Sequence, residues 1–128
     1  MPYFLICAGL LSLMYVGLSL NVVRLRNAKR VSLGDGGDPD LLKAIRAHAN
    51  FIEYVPLALI LILVASSYYG QRTVAGLSVL LLVARLLHAA GILGGMKYGR
   101  PAGSILTALV LVVTSIWIIL VGVGIRLY

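Results

Sequence analysis

Long apolar runs alternate with short polar connections along this chain. Four runs stand out, each near or above the ~20 residues that a helix needs to cross a hydrocarbon core of about 30 Å. They lack the polar–apolar alternation of a membrane barrel, so they indicate helices rather than strands. We therefore predict an all-α integral membrane four-helix bundle of up-down topology. The chain is expected to form one domain, 1–128, with helices at about 3–25, 39–69, 73–96 and 102–126.

The composition agrees with this prediction. Hydrophobic residues make up 61% of the 128 residues, charged residues only 12%, and the mean hydropathy is +1.03. A soluble domain carries charged residues at about twice that fraction. Cys7 is the only cysteine, which excludes an intrachain disulfide and gives no sign of a metal site. The net charge of +7 comes without the basic-aromatic surface that nucleic-acid binding needs, so nucleic acid is not an expected partner.

The basic residues predict the orientation of the bundle. They concentrate in or beside the first and third connections, whereas the second connection has only Arg72 and the C-terminal tail only Arg126. Cytoplasmic loops are enriched in Lys and Arg, so both termini are expected outside and the first and third connections in the cytoplasm, near anionic membrane lipids. The residues concerned are Arg24, Arg26, Lys29, Arg30 and Lys43, then Lys97 and Arg100.

Polar side chains interrupt the hydrocarbon at the start of the second run. Arg46, Asn50 and Glu53 recur at steps of four and three residues, which places them on one face of a helix with Tyr54 at its edge. His48 points away from that face. A polar stripe in a membrane span is costly to insert and is by default a functional-site hypothesis.

The third run adds Arg85 and His88 to the same region. Counting along oppositely directed helices at about 1.5 Å per residue places His88 level with Glu53 and Arg85 near the membrane midplane. Glu53 is the only acidic residue within any span, so an ion pair between Glu53 and Arg85 is expected. Two structural alternatives to a functional site stay open: the polar groups only fix helix packing, and His88 is a core histidine.

The first connection contains Gly34-Asp35-Gly36-Gly37, followed by Asp38-Pro39-Asp40. A phosphate-binding loop is one interpretation, but the Walker lysine and the preceding strand are missing. Turn formation accounts for the glycines better. Asp38 is then predicted to cap the second helix and Pro39 to be its first residue.

Arg46-Ala-His-x-Asn-x-x-Glu53, followed by Pro56, resembles the signature of the membrane-associated proteins in eicosanoid and glutathione metabolism, the MAPEG family. Val-Arg-Leu-Arg at the end of helix one and Ala84-Arg85-x-x-His88 in helix three extend the resemblance along the chain. It is nearest to the short bacterial members with a Gly-Asp-Gly-Gly connection, which indicates a bacterial inner membrane. It implies a homotrimer with glutathione, as co-substrate, bound between subunits near the cytoplasmic face.

The resemblance also implies roles for individual residues. Arg24 and His48 would reach the glutathione site from the neighbouring subunit. The thiol would be activated by Arg100, or by Ser104 with the loop acid Asp35. Ile92 stands where the eicosanoid enzymes have tyrosine, which argues against their chemistry. The remaining glutathione-binding candidates are Arg46, Asn50, Glu53, Tyr54, Arg85 and His88.

Three functions follow from these features. The leading hypothesis is a glutathione transferase or peroxidase that joins a glutathione thiolate to a lipophilic electrophile from the bilayer. Glutathione suits the stripe because arginines bind its carboxylates, and a nearby cation favours its thiolate. A non-catalytic protein that binds lipid or glutathione is the second hypothesis. A small proton-coupled transporter working through Glu53 is the third.

Overall fold

The computed structural model describes residues 1–125 and contains four α-helices. They are α1 (Pro2–Lys29), α2 (Pro39–Ala65), α3 (Gln71–Leu93) and α4 (Gly99–Gly122), and no strand occurs within 1–125. Every helix is long and apolar enough to cross a membrane. The predicted all-α membrane bundle is therefore confirmed. Arg126, where the predicted fourth helix ends, lies outside the described residues.

The ends of the helices differ from the predicted ends for local reasons. α1 continues to Lys29 and stops where Arg30 adopts a left-handed conformation, with φ of 54°. α2 ends at Ala65 rather than at residue 69 because the following residues form tight turns, in which Ser66 Oγ donates to the carbonyl of Leu63 at 2.6 Å. α3 begins and ends slightly earlier than predicted. α4 already begins at Gly99, since Pro101 is compatible with the first turn of a helix.

Like α3, α2 contacts each of the other three helices. Its buried residues recur every three or four positions, the spacing of one helix face. Half of them are alanines, which let the neighbouring helices approach closely. They are Leu41, Ala44, Ala47, Phe51, Val55, Ala58, Ile62 and Ala65. Large aliphatic side chains on the outer faces of the bundle are exposed, as expected where helices meet lipid.

α3 and α4 pack closely because glycines leave room between them. A Cβ atom at Gly103 would lie 2.6 Å from the Cβ of His88 and would also collide with the carbonyl of Ala84. A Cβ at Gly91 would collide with the backbone of Arg100. This close approach brings the first half of α4 next to the polar residues of α3.

Side chains fix the connection between α1 and α2. Arg26 donates to the carbonyl of Gly34 at 2.7 Å, and Lys29 Nζ lies 2.7 Å from the carboxylate of Asp38. Asp38 also caps α2, because its Oδ1 accepts from the backbone N–H groups of Asp40 and Leu41 at 3.0 and 2.9 Å. The predicted cap is thereby confirmed. Hydrogen bonds from Lys29 and then from these N–H groups hold the pKa of Asp38 below its ordinary value.

Candidate functional site

Arg85 is the centre of a polar cluster between α2, α3 and α4. Only 1% of its surface is exposed. Nη2 donates to Asn50 Oδ1 at 2.8 Å, and Nη1 donates to Thr107 Oγ1 at 3.4 Å. The guanidinium also lies 5.6 Å from the ring centre of Phe51, a cation–π contact. One cation therefore links α3 to both α2 and α4.

His88 belongs to the same cluster and is also buried. Its Nδ1 lies 3.2 Å from Nη2 of Arg85. A guanidinium offers only donors, so Nδ1 must accept, and the neutral imidazole then carries its proton on Nε2. The neighbouring cation thus selects the tautomer of His88. The burial of His88 fits a core histidine as well as a ligand-binding one.

The predicted ion pair between Glu53 and Arg85 does not form, so this prediction is wrong. Glu53 is exposed on the outside of α2, and Arg85 bonds Asn50 instead. Within residues 1–125, ion pairs join only Lys29 to Asp38 and Lys43 to Asp40. Depth along the membrane is similar for Glu53 and Arg85, but Glu53 lies about 60° round the helix from Asn50, which turns it away from α3. Arg85 Nε has no hydrogen-bond partner.

The polar stripe of α2 lies along the outer side of the bundle. Arg46, Glu53 and Tyr54 are exposed, and Asn50 is half-buried at the border with the core. The cation of Arg46 and the carboxylate of Glu53 make no ion pair with another residue in the described part of the chain. Asn50 is the member of the stripe that connects it to the buried cluster. The stripe is therefore open to a partner outside the single chain.

His48 and Arg24 lie apart from the stripe within one chain. The ring of His48 stacks on Tyr15 of α1 with centroids 5.3 Å apart, on the other flank of α2, and its Nε2 is buried without a partner. Arg24 donates to Asn21 Oδ1 at 3.0 Å near the end of α1. Neither side chain forms a hydrogen bond with Arg46, Asn50 or Glu53 among the residues described.

The three catalytic candidates are not assembled in the single chain. Arg100 is exposed in the first turn of α4, and Ser104 is exposed one turn later. Asp35 lies in the α1–α2 connection, where its Oδ1 accepts from the N–H of Gly37 at 2.9 Å. No hydrogen bond joins any two of these three side chains. Their catalytic role stays a prediction.

Sequence reasoning missed two contacts of this site, those made by Thr107 and Tyr15. Thr107 donates to the carbonyl of Gly103 at 2.7 Å, which satisfies its proton and leaves the oxygen free to accept from Arg85. A threonine in an apolar run gave no sign of this, because its role depends on which helix it faces. The stacking of Tyr15 on His48 likewise depends on the pairing of α1 with α2, which the sequence does not display.

An apolar groove between α1 and α2 adjoins the polar cluster. It encloses about 370 Å³. Phe51 connects the two features, because its ring lines the groove and also contacts the guanidinium of Arg85. The groove is thus suited to an apolar group. The other lining residues are Leu11, Ser12, Tyr15, Ile52, Val55, Pro56 and Leu59.

Comparison with known proteins places this arrangement in a family. Residues 4–120 match the model of the MAPEG family, a stretch that contains the α2 stripe, the Arg85 cluster and all three catalytic candidates. The chain belongs to the MAPEG family. This MAPEG protein is similar to inner membrane protein YecN of Escherichia coli K12, with 34% identity over 114 residues, which cover 86% of this chain and 87% of YecN. YecN of E. coli O6:H1 strain CFT073 matches with the same identity and coverage.

Membership of the MAPEG family confirms the resemblance inferred from the α2 motif and identifies a membrane protein. A role related to glutathione is general in the family, which includes glutathione transferases and related enzymes. The similar YecN proteins are named only for their place in the inner membrane.

Proposed function

We propose that the protein binds glutathione along the α2 stripe and acts as a glutathione transferase or peroxidase on lipophilic electrophiles. The observation that carries the proposal is a set of charges left without counter-charges: Arg46, Arg85 and Glu53 form no ion pair within residues 1–125. The exposed Arg46 and Glu53 complement one carboxylate and the ammonium of glutathione, while the buried Arg85 acts through Asn50. Binding glutathione would neutralise groups that are costly near a bilayer.

The buried position of Arg85 fits a supporting role in this site. Its short bond to Asn50 orients the amide at the border between the cluster and the open stripe. Asn50 can then offer its amide N–H groups to a ligand while its oxygen remains bonded to Arg85. Arg46 and Glu53 lie seven positions apart, or about 10 Å along the helix. That spacing suits the separated charges of a tripeptide.

The reaction needs the thiolate of glutathione. A free thiol with a pKa of about 8.5 is mostly protonated at neutral pH, and a cation close to the sulfur favours the ionised form. Arg100 is exposed just after the α3–α4 connection, where its guanidinium can supply that cation. Ser104 with Asp35 is the alternative. Because these side chains do not meet in one chain, the proposal includes a homotrimer whose neighbouring subunit completes the site.

Calorimetric titration of reduced glutathione into the detergent-purified protein tests the binding proposal. We expect binding by the wild type and its loss in Arg46→Ala. Arg72→Ala is the matched control, because it removes an exposed arginine at the opposite end of the bundle. Absence of wild-type binding up to millimolar glutathione would contradict the proposal, as would equal losses in both variants.

A non-catalytic glutathione-binding protein is the second candidate function. Ile92 favours this function. Its side chain packs against the apolar core, whereas the eicosanoid enzymes of the family have a tyrosine at this position. Turnover of a chloronitrobenzene and of a lipid hydroperoxide distinguishes the two functions. Glutathione binding without turnover of either compound would support the non-catalytic protein.

A further inference from the structure

Besides the apolar groove, a polar cavity lies where the end of α1, the start of α2 and the end of α3 meet. It encloses about 360 Å³. Arg24 and Lys43 supply two cations, Asp40 a carboxylate and Asn21 an amide, while two leucines form apolar walls. Lys43 Nζ lies 3.7 Å from Asp40 Oδ1. The complete lining is Asn21, Arg24, Leu25, Asp40, Lys43 and Leu93.

The length of α2 places this cavity at the level of the lipid headgroups. α2 has 27 residues, which makes it about 40 Å long against a hydrocarbon core of about 30 Å. At the opposite end of the bundle, Tyr69 stacks on Trp117 with centroids 4.8 Å apart, as in an aromatic belt at a membrane interface. The excess length of α2 therefore emerges at its N-terminal end. Asp40 and Lys43 lie in those first turns.

We propose that this cavity binds the headgroup of a phospholipid, with the phosphate between Arg24 and Lys43. Arginine binds phosphate through paired hydrogen bonds and lysine as a point charge. Basic pockets between membrane helices are typical sites for lipid phosphates. The leucine walls face the same space and suit the glycerol and the first acyl carbons. The cavity differs from the glutathione stripe, since Arg46, Asn50 and Glu53 do not line it. It shares only Arg24 with the residues that the family resemblance assigns to glutathione.

Asp40 gives the site a preference among phospholipids. Its carboxylate attracts a primary ammonium, which can also donate hydrogen bonds to it. Phosphatidylethanolamine carries such an ammonium next to its phosphate. Phosphatidylglycerol has none, and the methylated ammonium of phosphatidylcholine has no N–H. The cavity is therefore a phosphatidylethanolamine site.

Native mass spectrometry of the full chain, incubated with equal amounts of phosphatidylethanolamine and phosphatidylglycerol, tests this proposal. The wild type should retain phosphatidylethanolamine preferentially. Lys43→Gln should reduce total lipid retention about fivefold, the contribution of one interfacial cation. Asp40→Asn should keep the retention and lose the preference. Lys97→Gln is the matched control, because it removes an exposed lysine at the same end that does not line the cavity.

Three results would overturn the proposal. The first is wild-type retention in Lys43→Gln, and the second is an unchanged lipid preference in Asp40→Asn. The third is a loss of glutathione affinity without a loss of lipid in Lys43→Gln, which would assign the cavity to glutathione. Asn21→Ala provides a second cavity variant, also expected to lose lipid, and melting temperatures verify that each variant folds.

Discussion

At the scale of single residues, Arg85 shows how a buried cation is tolerated without a carboxylate. Its charge is shared among an amide, a hydroxyl, an imidazole and an aromatic ring. These partners are unequal, because the bond to Asn50 is 2.8 Å long and the bond to Thr107 is 3.4 Å long. Asn50 should therefore stabilise the cluster most.

Asn50→Leu tests this ranking of partners. Removing the amide leaves the guanidinium without its shortest hydrogen bond, so we expect a loss of about 1–3 kcal/mol in the free energy of unfolding. Thr107→Val removes the longer bond and should cost less. Unfolding in mixed micelles measures both variants. An equal or larger loss in Thr107→Val would show that α4, rather than α2, holds Arg85 in place.

Glu53→Gln separates ligand binding from folding. The carboxylate is exposed and has no ion-pair partner within residues 1–125, so the melting temperature should stay unchanged. A hydrogen bond to a charged group contributes about 1.5–3 kcal/mol, so glutathione affinity should fall at least about tenfold. Calorimetry and thermal melting measure the two quantities. A lower melting temperature with unchanged affinity would instead assign Glu53 to the assembly of subunits.

The residues of the stripe could be predicted from sequence, whereas their partners could not. The recurrence of Arg46, Asn50 and Glu53 depends only on helix periodicity, which the sequence displays directly. The partner of Arg85 depends on rotation of one helix about its axis relative to another. An error of about 60° in that rotation is enough to assign Glu53 instead of Asn50 as the partner of Arg85. Thr107 was beyond prediction for the same reason.

At the scale of elements, the α3–α4 pair depends on glycine at the contact. Gly103→Ala should destabilise the protein, because the added methyl group would collide with the backbone of α3. Gly76→Ala is the matched control: it also lies in a helix, but open space surrounds its position. There, alanine should be neutral or stabilise by up to ~1 kcal/mol. Thermal melting of both variants checks the prediction, and similar melting temperatures would contradict it.

The α1–α2 connection should respond to acid. The pKa of Asp38 is lower in the folded protein, chiefly through Lys29, so its stabilising contribution is present above the unfolded pKa and is lost as pH falls through the folded pKa. Melting temperatures measured across the acidic range should therefore decline less in Asp38→Asn and in Lys29→Gln than in the wild type. Parallel curves for all three proteins would show that the ion pair does not contribute.

The sequence predicted the helices themselves better than their ends. Long apolar runs fix the existence of each span, because a bilayer requires about 20 such residues. The ends depend on local chemistry that the runs do not show, such as the left-handed Arg30 and the hydroxyl of Ser66. Asp38 was predictable because its cap acts within the next few residues.

At the scale of the whole molecule, the orientation in the membrane follows from charge. Most of the basic residues lie in or beside the α1–α2 and α3–α4 connections, so we expect these connections on the cytoplasmic side. In a Cys7→Ala background, Ser32→Cys should resist a membrane-impermeant maleimide in intact cells, whereas Ser67→Cys should react with it. Both serines are exposed in connections at opposite ends of the bundle. The reverse labelling pattern would place the α1–α2 connection, and with it the Arg46 end of the α2 stripe, on the outside of the membrane.

The Arg85 cluster also has a consequence for how the chain is made. Ribosomes release α2 before α3, so Asn50 and Phe51 are already in the membrane when Arg85 leaves the translocon, while Thr107 is still to be synthesised. A lone arginine near the middle of a nascent span is expensive to transfer into lipid. Membrane insertion of α3 is thus expected to depend on α2 remaining close by, which makes biogenesis of this protein a sequence of assisted steps rather than four independent ones.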